Sequence, residues 1–329
     1  MDAAKQKVTL EEILRRYSVV ISVVIMILFG ELITQGGFLS GDNLLNVGER
    51  AAAIGIIALG QMLVILTGGM DLSVSGIVAV GYSITALLLE ANSVPVPVVI
   101  VLMLLGTTLC GAINGLLVSR TKVPPFMITL GTYMVFQSLA LVLSQAQNMH
   151  YNGVVDYLQN NWHLTGLLGR LFPTIMWVAI SVLVIFMLAY SRIGKNIYHT
   201  GGKELSARMS GINTRRIKFF VYTAAGFLCG IAALLLEFRF QFSNATSTGT
   251  FQIASIAAVI IGGTSIKGGE GNVYGTFIGA FIMASLDNLM NLVGLQVYSQ
   301  DIVKGIFLLI FLGITILLTR RSRRNIYEG

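Results

Sequence analysis

Residues 60–76 read GQMLVILTGGMDLSVSG, and this stretch brings two strongly apolar runs together at a Gly-Gly pair and an aspartate. Each run extends away from the junction for roughly the length that a helix needs to cross a membrane. A carboxylate at the centre of a bilayer costs about 2.5–3.5 kcal/mol, so Asp71 requires a partner, a water-filled cavity or a position at the interface. The stretch therefore predicts two membrane helices joined by a polar break at Thr67, Asp71 and Ser73.

The residues alone leave two interpretations of this break open. Aspartate is a favourable N-cap, so Asp71 can begin a helix whose first turn contains Ser73 and Ser75. Alternatively, the break lies beside a translocation path, because non-helical backbone is tolerated at membrane depth only against protein or a water-filled cavity.

Apolar runs of this kind recur along the whole chain, in which 55% of the 329 residues are hydrophobic and 11% are charged. This composition leaves no room for a soluble domain between the runs, so we expect one permease domain over residues 1–329. The predicted fold is an all-α membrane protein with about ten transmembrane helices. The predicted spans are 18–35, 51–67, 72–90, 94–119, 124–143, 173–190, 217–236, 250–262, 273–293 and 302–319.

The basic residues indicate the orientation of these spans. If the N-terminus is cytoplasmic, 18 of the 22 Lys and Arg residues lie in cytoplasmic segments, and only Arg50, Arg170, Arg239 and Lys304 lie outside. Short loops rich in Lys and Arg stay in the cytoplasm, so both termini are predicted to be cytoplasmic in a multi-pass plasma membrane protein. Because orientation explains the net charge of +7, a nucleic-acid partner is not expected.

The longest predicted cytoplasmic segment, residues 192–218, contains a short amphipathic helix. Leu205, Met209 and Ile212 recur at helical spacing and form an apolar stripe, and Glu204 and Arg208 form an i, i+4 pair. Gly202 and Gly211 mark its start and end. Such a helix either lies on lipid headgroups or docks into a groove on a cytoplasmic partner.

Residues 262–272 hold five glycines between two apolar runs. The position of Lys267 does not match a phosphate-binding loop and no strand precedes it, so ATP binding is excluded and a tight cytoplasmic turn is predicted. Pairs of glycines four residues apart, such as Gly111/Gly115 and Gly226/Gly230, predict close packing between helices.

Four further polar residues fall within predicted spans, and they either line a hydrophilic path or join helices by hydrogen bonds. No metal site is predicted, because Cys110 and Cys229 lie alone within apolar runs. The three histidines lie outside the spans and supply no catalytic group. The four polar residues are Asn114, Asp287, Asn288 and Asn291.

In this order, three segments resemble the permease subunit of ribose-type ATP-binding-cassette sugar importers. They are residues 58–76 (ALGQMLVILTGGMDLSVSG), residues 201–218 and residues 261–295. The resemblance covers nearly the whole chain. Two residues depart from the pattern of the family: Ser75 stands where the family often has Gly, and Asp287 stands where Asn is expected. These departures leave the identity of the substrate undetermined.

The resemblance implies a type II-like importer permease that works with a second permease subunit, either an identical copy or a paralogue. It further implies cytoplasmic ABC ATPase subunits, which bind ATP and Mg, so that this chain holds no cofactor. An extracytoplasmic solute-binding protein would deliver a small sugar. Residues 204–211 would form the ATPase-coupling helix, with coupling residues Lys203, Glu204, Leu205, Arg208, Met209 and Gly211.

Two functions from other classes compete with this interpretation. An ion-coupled secondary transporter would need ionisable groups in its core, and only Asp71 and Asp287 are candidates for deep carboxylates. An intramembrane enzyme would need a nucleophile with a base, a carboxylate pair or a metal cluster, and the sequence supplies none.

Overall fold

The structure of the protein is a computed structural model that describes residues 10–90, 94–145, 153–240, 245–296, 299–310 and 313. Within these ranges all regular secondary structure is helical, which agrees with the predicted all-α class. The helices are α1 (Leu10–Ile33), α2 (Gly41–Leu66), α3 (Val74–Glu90), α4 (Val96–Arg120), α5 (Pro125–Leu143), α6 (Gly153–Trp162), α7 (Gly166–Tyr190), α8 (Arg192–Gly202), α9 (Glu204–Met209), α10 (Thr214–Phe240), a 3₁₀ turn (Ala245–Gly249), α11 (Thr250–Ile261), α12 (Val273–Leu292) and α13 (299–310).

Among the described residues, six helices are long and apolar enough to cross a membrane: α2, α4, α5, α7, α10 and α12. The other four predicted spans coincide with α1, α3, α11 and α13. The apolar parts of α1, α3 and α11 are shorter than 18 residues. Residues 311–312 and 314–319 of the last predicted span lie outside the described residues, as do most of the basic residues at the two termini.

Helix α2 forms the centre of the bundle. Every residue from Ala51 to Leu66 is buried, and α2 packs against α7, α10, α11 and α12. A helix that is apolar on all faces is covered either by lipid or by protein, and α2 is covered by protein. The break that follows α2 also lies inside the protein, since Thr67, Asp71 and Ser73 are buried.

Glycines bring several helices into backbone contact, as their spacing predicts. A Cβ atom added to Gly111 on α4 would lie 2.8 Å from the Cα atom of Gly226 on α10. A Cβ atom on Gly275 of α12 would collide with the carbonyl of Gly262, at the end of α11. Close approach of this kind gives dispersion contact between helices where lipid offers no hydrophobic contrast.

Several segments differ from the predictions, and α1 and α2 begin eight and ten residues before their predicted spans. Helix α7 begins at Gly166, seven residues before the predicted start of its span, and includes Pro173. A proline inside a helix is tolerated in a bundle because neighbours satisfy the freed carbonyl groups. The predicted cytoplasmic segment contains the additional helix α8, whose 11 residues the apolar pattern did not indicate.

Candidate translocation and coupling site

The break between α2 and α3 comprises residues 67–73, and most of its polar groups form hydrogen bonds within the protein. The hydroxyl of Thr67 donates to the carbonyl of Val64 over 2.8 Å, and the amide of Gly69 donates to the same carbonyl over 3.2 Å. Gly68 turns the chain with a φ of 78°, a value that suits glycine. The sharp end of α2 therefore follows from the Thr-Gly-Gly sequence.

Asp71 is fully buried and holds the start of α3. Its Oδ1 atom accepts hydrogen bonds from the amide of Ser73 over 2.8 Å and from the hydroxyl of Ser73 over 2.6 Å. The predicted N-cap position is wrong by two residues, because α3 begins at Val74 and Ser73 directly precedes it. Asp71 acts on the helix start through Ser73, as in an Asx turn.

Neighbouring helices complete this polar cluster. From α4, the amide of Asn114 donates to the Ser73 hydroxyl over 2.6 Å. From α5, the hydroxyl of Thr129 donates to the carbonyl of Met70 over 3.1 Å and accepts the amide of Leu72 over 3.0 Å. The break thus ties α3, α4 and α5 together.

Helix α2 also contacts the break through a side chain that sequence reasoning missed. In the amide orientation that satisfies both partners, Gln61 donates to the carbonyl of Asp71 over 3.1 Å and accepts its backbone amide over 3.2 Å. A glutamine within a long apolar run was the available signal, since polar residues inside a membrane require partners.

The cluster still contains unpartnered polar atoms. In the described part of the chain, Asp71 Oδ2, Asn114 Oδ1 and the hydroxyl of Tyr222 have no hydrogen-bond partner. Asn114 lies six residues before the end of α4, which corresponds to about 9 Å along the helix. Asp71 and Asn114 are therefore buried within the bundle, whereas Gly68 of the break lies near α8.

Glycines connect the break to α8. A Cβ atom on Gly201 would collide with the carbonyl of Leu66 and lie 2.6 Å from the amide nitrogen of Gly269. That amide itself donates to the carbonyl of Leu66 over 2.9 Å. We call this contact the glycine junction; it comprises Gly68, Gly201, Gly202, Gly268 and Gly269. All three segments singled out from the sequence meet there.

Helix α9 follows the junction after one residue, Lys203, and projects its apolar face outward. Leu205 is 73% exposed and Met209 is 83% exposed. Ile212 does not continue this exposed stripe as predicted, because it is partly buried against the main core. Gly211 ends the helix with a φ of 83°, as its position predicted.

A network of ion pairs holds α9 against α10. The carboxylate of Glu204 accepts hydrogen bonds from Arg208 over 2.6 Å and from Lys218 over 2.8 Å. Burial opposes ionisation of Glu204, but the hydrogen bonds from Lys218, Arg208 and Thr214 prevail and lower its pKa below the ordinary value. The predicted pair with Arg208 is confirmed, and no sequence pattern indicated the pair with Lys218.

The polar residues of α12 lie far from Asp71. Asn288 donates to Asn43 over 2.7 Å near the start of α2, whereas the break follows the other end of that helix. Asn43 and Leu66 are separated by 23 residues, or about 35 Å along the helix. The seven predicted path residues thus form two groups: Thr67, Asp71, Ser73 and Asn114 at the break, and Asp287, Asn288 and Asn291 at the opposite end.

At that opposite end, the polar side chains of α12 bond to their neighbours. Asp287 forms an ion pair of 3.0 Å with Lys304 of α13, and both side chains are largely buried. Asn291 donates to the carbonyl of Asp287 over 2.7 Å and accepts a hydrogen bond from Gln300 over 3.1 Å. These contacts join α12 to α13, and a role in a translocation path stays a prediction.

Residues 43–312 match the protein family described as "Branched-chain amino acid transport system / permease component". The chain belongs to this family. It is similar to ribose import permease protein RbsC of Haemophilus influenzae, with 33% identity over 88% of the chain and 90% of the relative. Identity to RbsC of Bacillus subtilis is 36% over 84% and 86%. Identity to the Escherichia coli D-allose transport system permease protein AlsC is 32% over 86% and 85%. No solved structure matches the chain significantly.

Membership of this permease family confirms the resemblance inferred from the three segments and the location in a membrane.

The structure also brings together the four basic residues predicted to lie outside, which no sequence pattern indicated. Arg170 pairs with Asp42 over 2.8 Å and with Glu49 over 3.2 Å, and Arg239 lies 3.8 Å from Glu49. These partners are up to 190 residues apart in the chain, so only the fold reveals them.

Proposed function

We propose that this permease is the transmembrane subunit of an ABC importer that moves a monosaccharide into the cell across the bacterial plasma membrane. The observation that carries the proposal is the pair of exposed side chains, Leu205 and Met209, on a helix joined to the buried break through the glycine junction. An apolar pair that faces away from the bundle at this place fits a partner groove.

The names of the relatives support the substrate class. Two of them are named for ribose import and one for D-allose transport. A neutral monosaccharide suits a bundle whose deep polar cluster consists of hydrogen-bonding groups. Apart from Asp71, the side chains described in this cluster are uncharged, so the cluster offers no cation to an anionic substrate.

Coupling to ATP hydrolysis would follow a short physical route. The ATPase would bind Leu205 and Met209. The ion pair of Glu204 with Lys218 and the hydrogen bonds of Glu204 and Arg208 with Thr214 would transmit force to α10. Gly201 lies three residues before Glu204 and contacts the end of α2, so displacement of α9 would shift the break directly. Tightly packed groups transmit small shifts because they cannot be compressed.

The finer assignments belong to the same proposal. ATP and Mg bind the partner ATPase, and this chain neither hydrolyses ATP nor holds a cofactor. A second permease subunit, identical or paralogous, completes the membrane domain, and an extracytoplasmic solute-binding protein delivers the sugar. Ten spans with both termini in the cytoplasm place α8 and α9 on the ATPase side.

The test is reconstitution into proteoliposomes with the ATPase and the solute-binding protein encoded beside this gene. We expect uptake of the sugar bound by that solute-binding protein only when ATP is supplied to the ATPase side. A catalytically inactive ATPase is the control and should abolish uptake. Accumulation driven by a proton or sodium gradient in liposomes that contain this chain alone would instead establish a secondary transporter.

A further inference from the structure

A cavity of about 400 Å³ lies between the end of α4 and the start of α10. We propose that it binds the phosphate headgroup of an anionic phospholipid. Its polar lining includes three arginines, Arg120 from α4 and Arg215 and Arg216 from α10, together with Ser119 and Asn213. Basic cavities between membrane helices at the cytoplasmic boundary suit acidic lipid headgroups.

The three arginines have no carboxylate partner. Within the described part of the chain, none of them takes part in an ion pair. At the opposite end of the bundle, by contrast, Arg170, Arg239 and Lys304 each lie within 4.0 Å of a carboxylate oxygen. Three guanidinium groups that line one cavity carry like charges, which an anion bound among them would offset, and phosphate matches the planar donors of arginine.

The start of α10 adds to the positive potential of the cavity. The dipole of a long helix favours an anion near its first turn, and α10 has 27 residues. The side chain of Asn213 accepts the amide of Arg216 over 3.1 Å and thereby orders this turn. The backbone and the arginines thus favour the same ligand charge.

Apolar residues distinguish a lipid from a free anion as the ligand. Leu116 and Phe219 line the cavity and are 41% and 39% exposed. Leu116 continues an exposed stripe on α4 at helical spacing, formed by Leu105, Leu109 and Ile113. This stripe faces hydrocarbon in a membrane-spanning helix, so an acyl chain can lie along it while the headgroup occupies the cavity.

The test compares two triple variants of the full-length chain, purified in detergent and depleted of lipid. The first, Arg120→Gln/Arg215→Gln/Arg216→Gln, removes the cavity charges. The control removes three other exposed cytoplasmic charges, as Arg192→Gln/Lys195→Gln/Lys267→Gln. Phosphatidylglycerol, phosphatidylcholine and inorganic phosphate are titrated separately, and binding is measured by native mass spectrometry and by the shift in melting temperature.

We expect the wild type and the control to bind phosphatidylglycerol saturably, and the cavity variant to bind it at least about tenfold more weakly, since each basic residue adds to attraction for acidic lipid. Phosphatidylcholine should bind weakly to all three. Equal phosphatidylglycerol affinity for both variants would overturn the proposal. Inorganic phosphate that binds as tightly as the lipid would show a general anion site and would also overturn the lipid assignment.

The triple variant removes much charge at once, so single variants guard against misfolding. Arg120→Gln and Arg216→Gln each keep two of the three guanidinium groups. If the triple variant is not monodisperse, each single variant should still weaken phosphatidylglycerol binding relative to Lys195→Gln. Unchanged binding in both would contradict the inference.

Discussion

Asp71 organises the local structure through both its side chain and its backbone. One oxygen of its carboxyl group orders Ser73, and its backbone is held by Gln61, so it organises the start of α3 without an ion pair in the described residues. An interior carboxyl group that serves hydrogen bonding can be replaced by an amide, which keeps the same acceptor oxygen. Replacement of Asp71 by asparagine therefore distinguishes a structural role of the residue from a role in the translocation site.

We therefore expect Asp71→Asn to retain substantial uptake and Asp71→Ala to lower the amount of folded protein. Alanine removes the acceptor of two buried hydrogen bonds, and an unsatisfied buried polar group costs about 1–3 kcal/mol. The measurements are the melting temperature of the purified protein and sugar uptake. If Asp71→Asn keeps its stability and partner binding but abolishes uptake or changes the sugar, Asp71 belongs to the translocation site.

Gly201 is the most constrained residue of the glycine junction. A methyl group there has no space against Leu66 and Gly269, and overpacking of a tight contact costs about 1–3 kcal/mol. We expect Gly201→Ala to reduce both the melting temperature and ATP-dependent uptake. Gly202→Ala is the matched control, because no heavy atom lies within 4 Å of its added Cβ. Equal effects of the two substitutions would argue against a mechanical role for the junction.

At the scale of the element, α9 combines a fixed inner face with an exposed outer face. Ala207 is buried beneath the helix, and Glu204 bonds to α10, whereas Leu205 and Met209 project away from the bundle. A six-residue helix is too short to be stable alone, so its conformation depends on these tertiary contacts. Substitutions on its outer face are thus expected to spare the fold.

We expect Met209→Glu to uncouple transport while leaving membrane insertion and the melting temperature unchanged. A charge placed in an apolar groove lacks a partner there and is strongly disfavoured. Met209→Leu is the conservative control and should keep most of the uptake. The readouts are co-purification with the ATPase and uptake per unit of ATP hydrolysed. Normal transport and normal ATPase binding by Met209→Glu would exclude α9 as the docking element.

At the scale of the whole molecule, the two ends of the bundle differ in how they use charge. The end with α6 and the start of α7 holds Arg170 and Arg239 close to carboxylates, and the end with α8 and α9 presents exposed basic residues. This asymmetry agrees with the orientation predicted from the loops, in which excess Lys and Arg stay in the cytoplasm.

Labelling of introduced cysteines in intact cells tests that orientation. Ser210→Cys should react with a membrane-impermeant maleimide only after permeabilisation, because it lies beside α9, whereas Asn160→Cys on α6 should react at once. Both positions are exposed, and the native Cys110 and Cys229 are buried, so background labelling should be low. Immediate reaction of Ser210→Cys would reverse the topology and remove α9 from the ATPase side.

The sequence by itself determined the class of the protein and much of its local structure. Long apolar runs require helices in a membrane because backbone groups cannot remain unpaired in lipid. The Thr-Gly-Gly end of α2, the end of α9 at Gly211 and the pair of Glu204 with Arg208 were all predictable, since they depend on residues within a few positions of one another. The same holds for the glycine pairs that bring α4 and α10 together.

Only the tertiary structure decided which distant groups meet. Gln61, Asn114 and Thr129 reach the break from three helices, and the Gly201, Leu66 and Gly269 contact joins segments separated by up to 203 positions. It also divided the predicted path residues between two ends of the bundle. Periodicity shows which face of a helix is apolar, but partner choice depends on the packing of whole helices, and a single sequence carries no local signal for it.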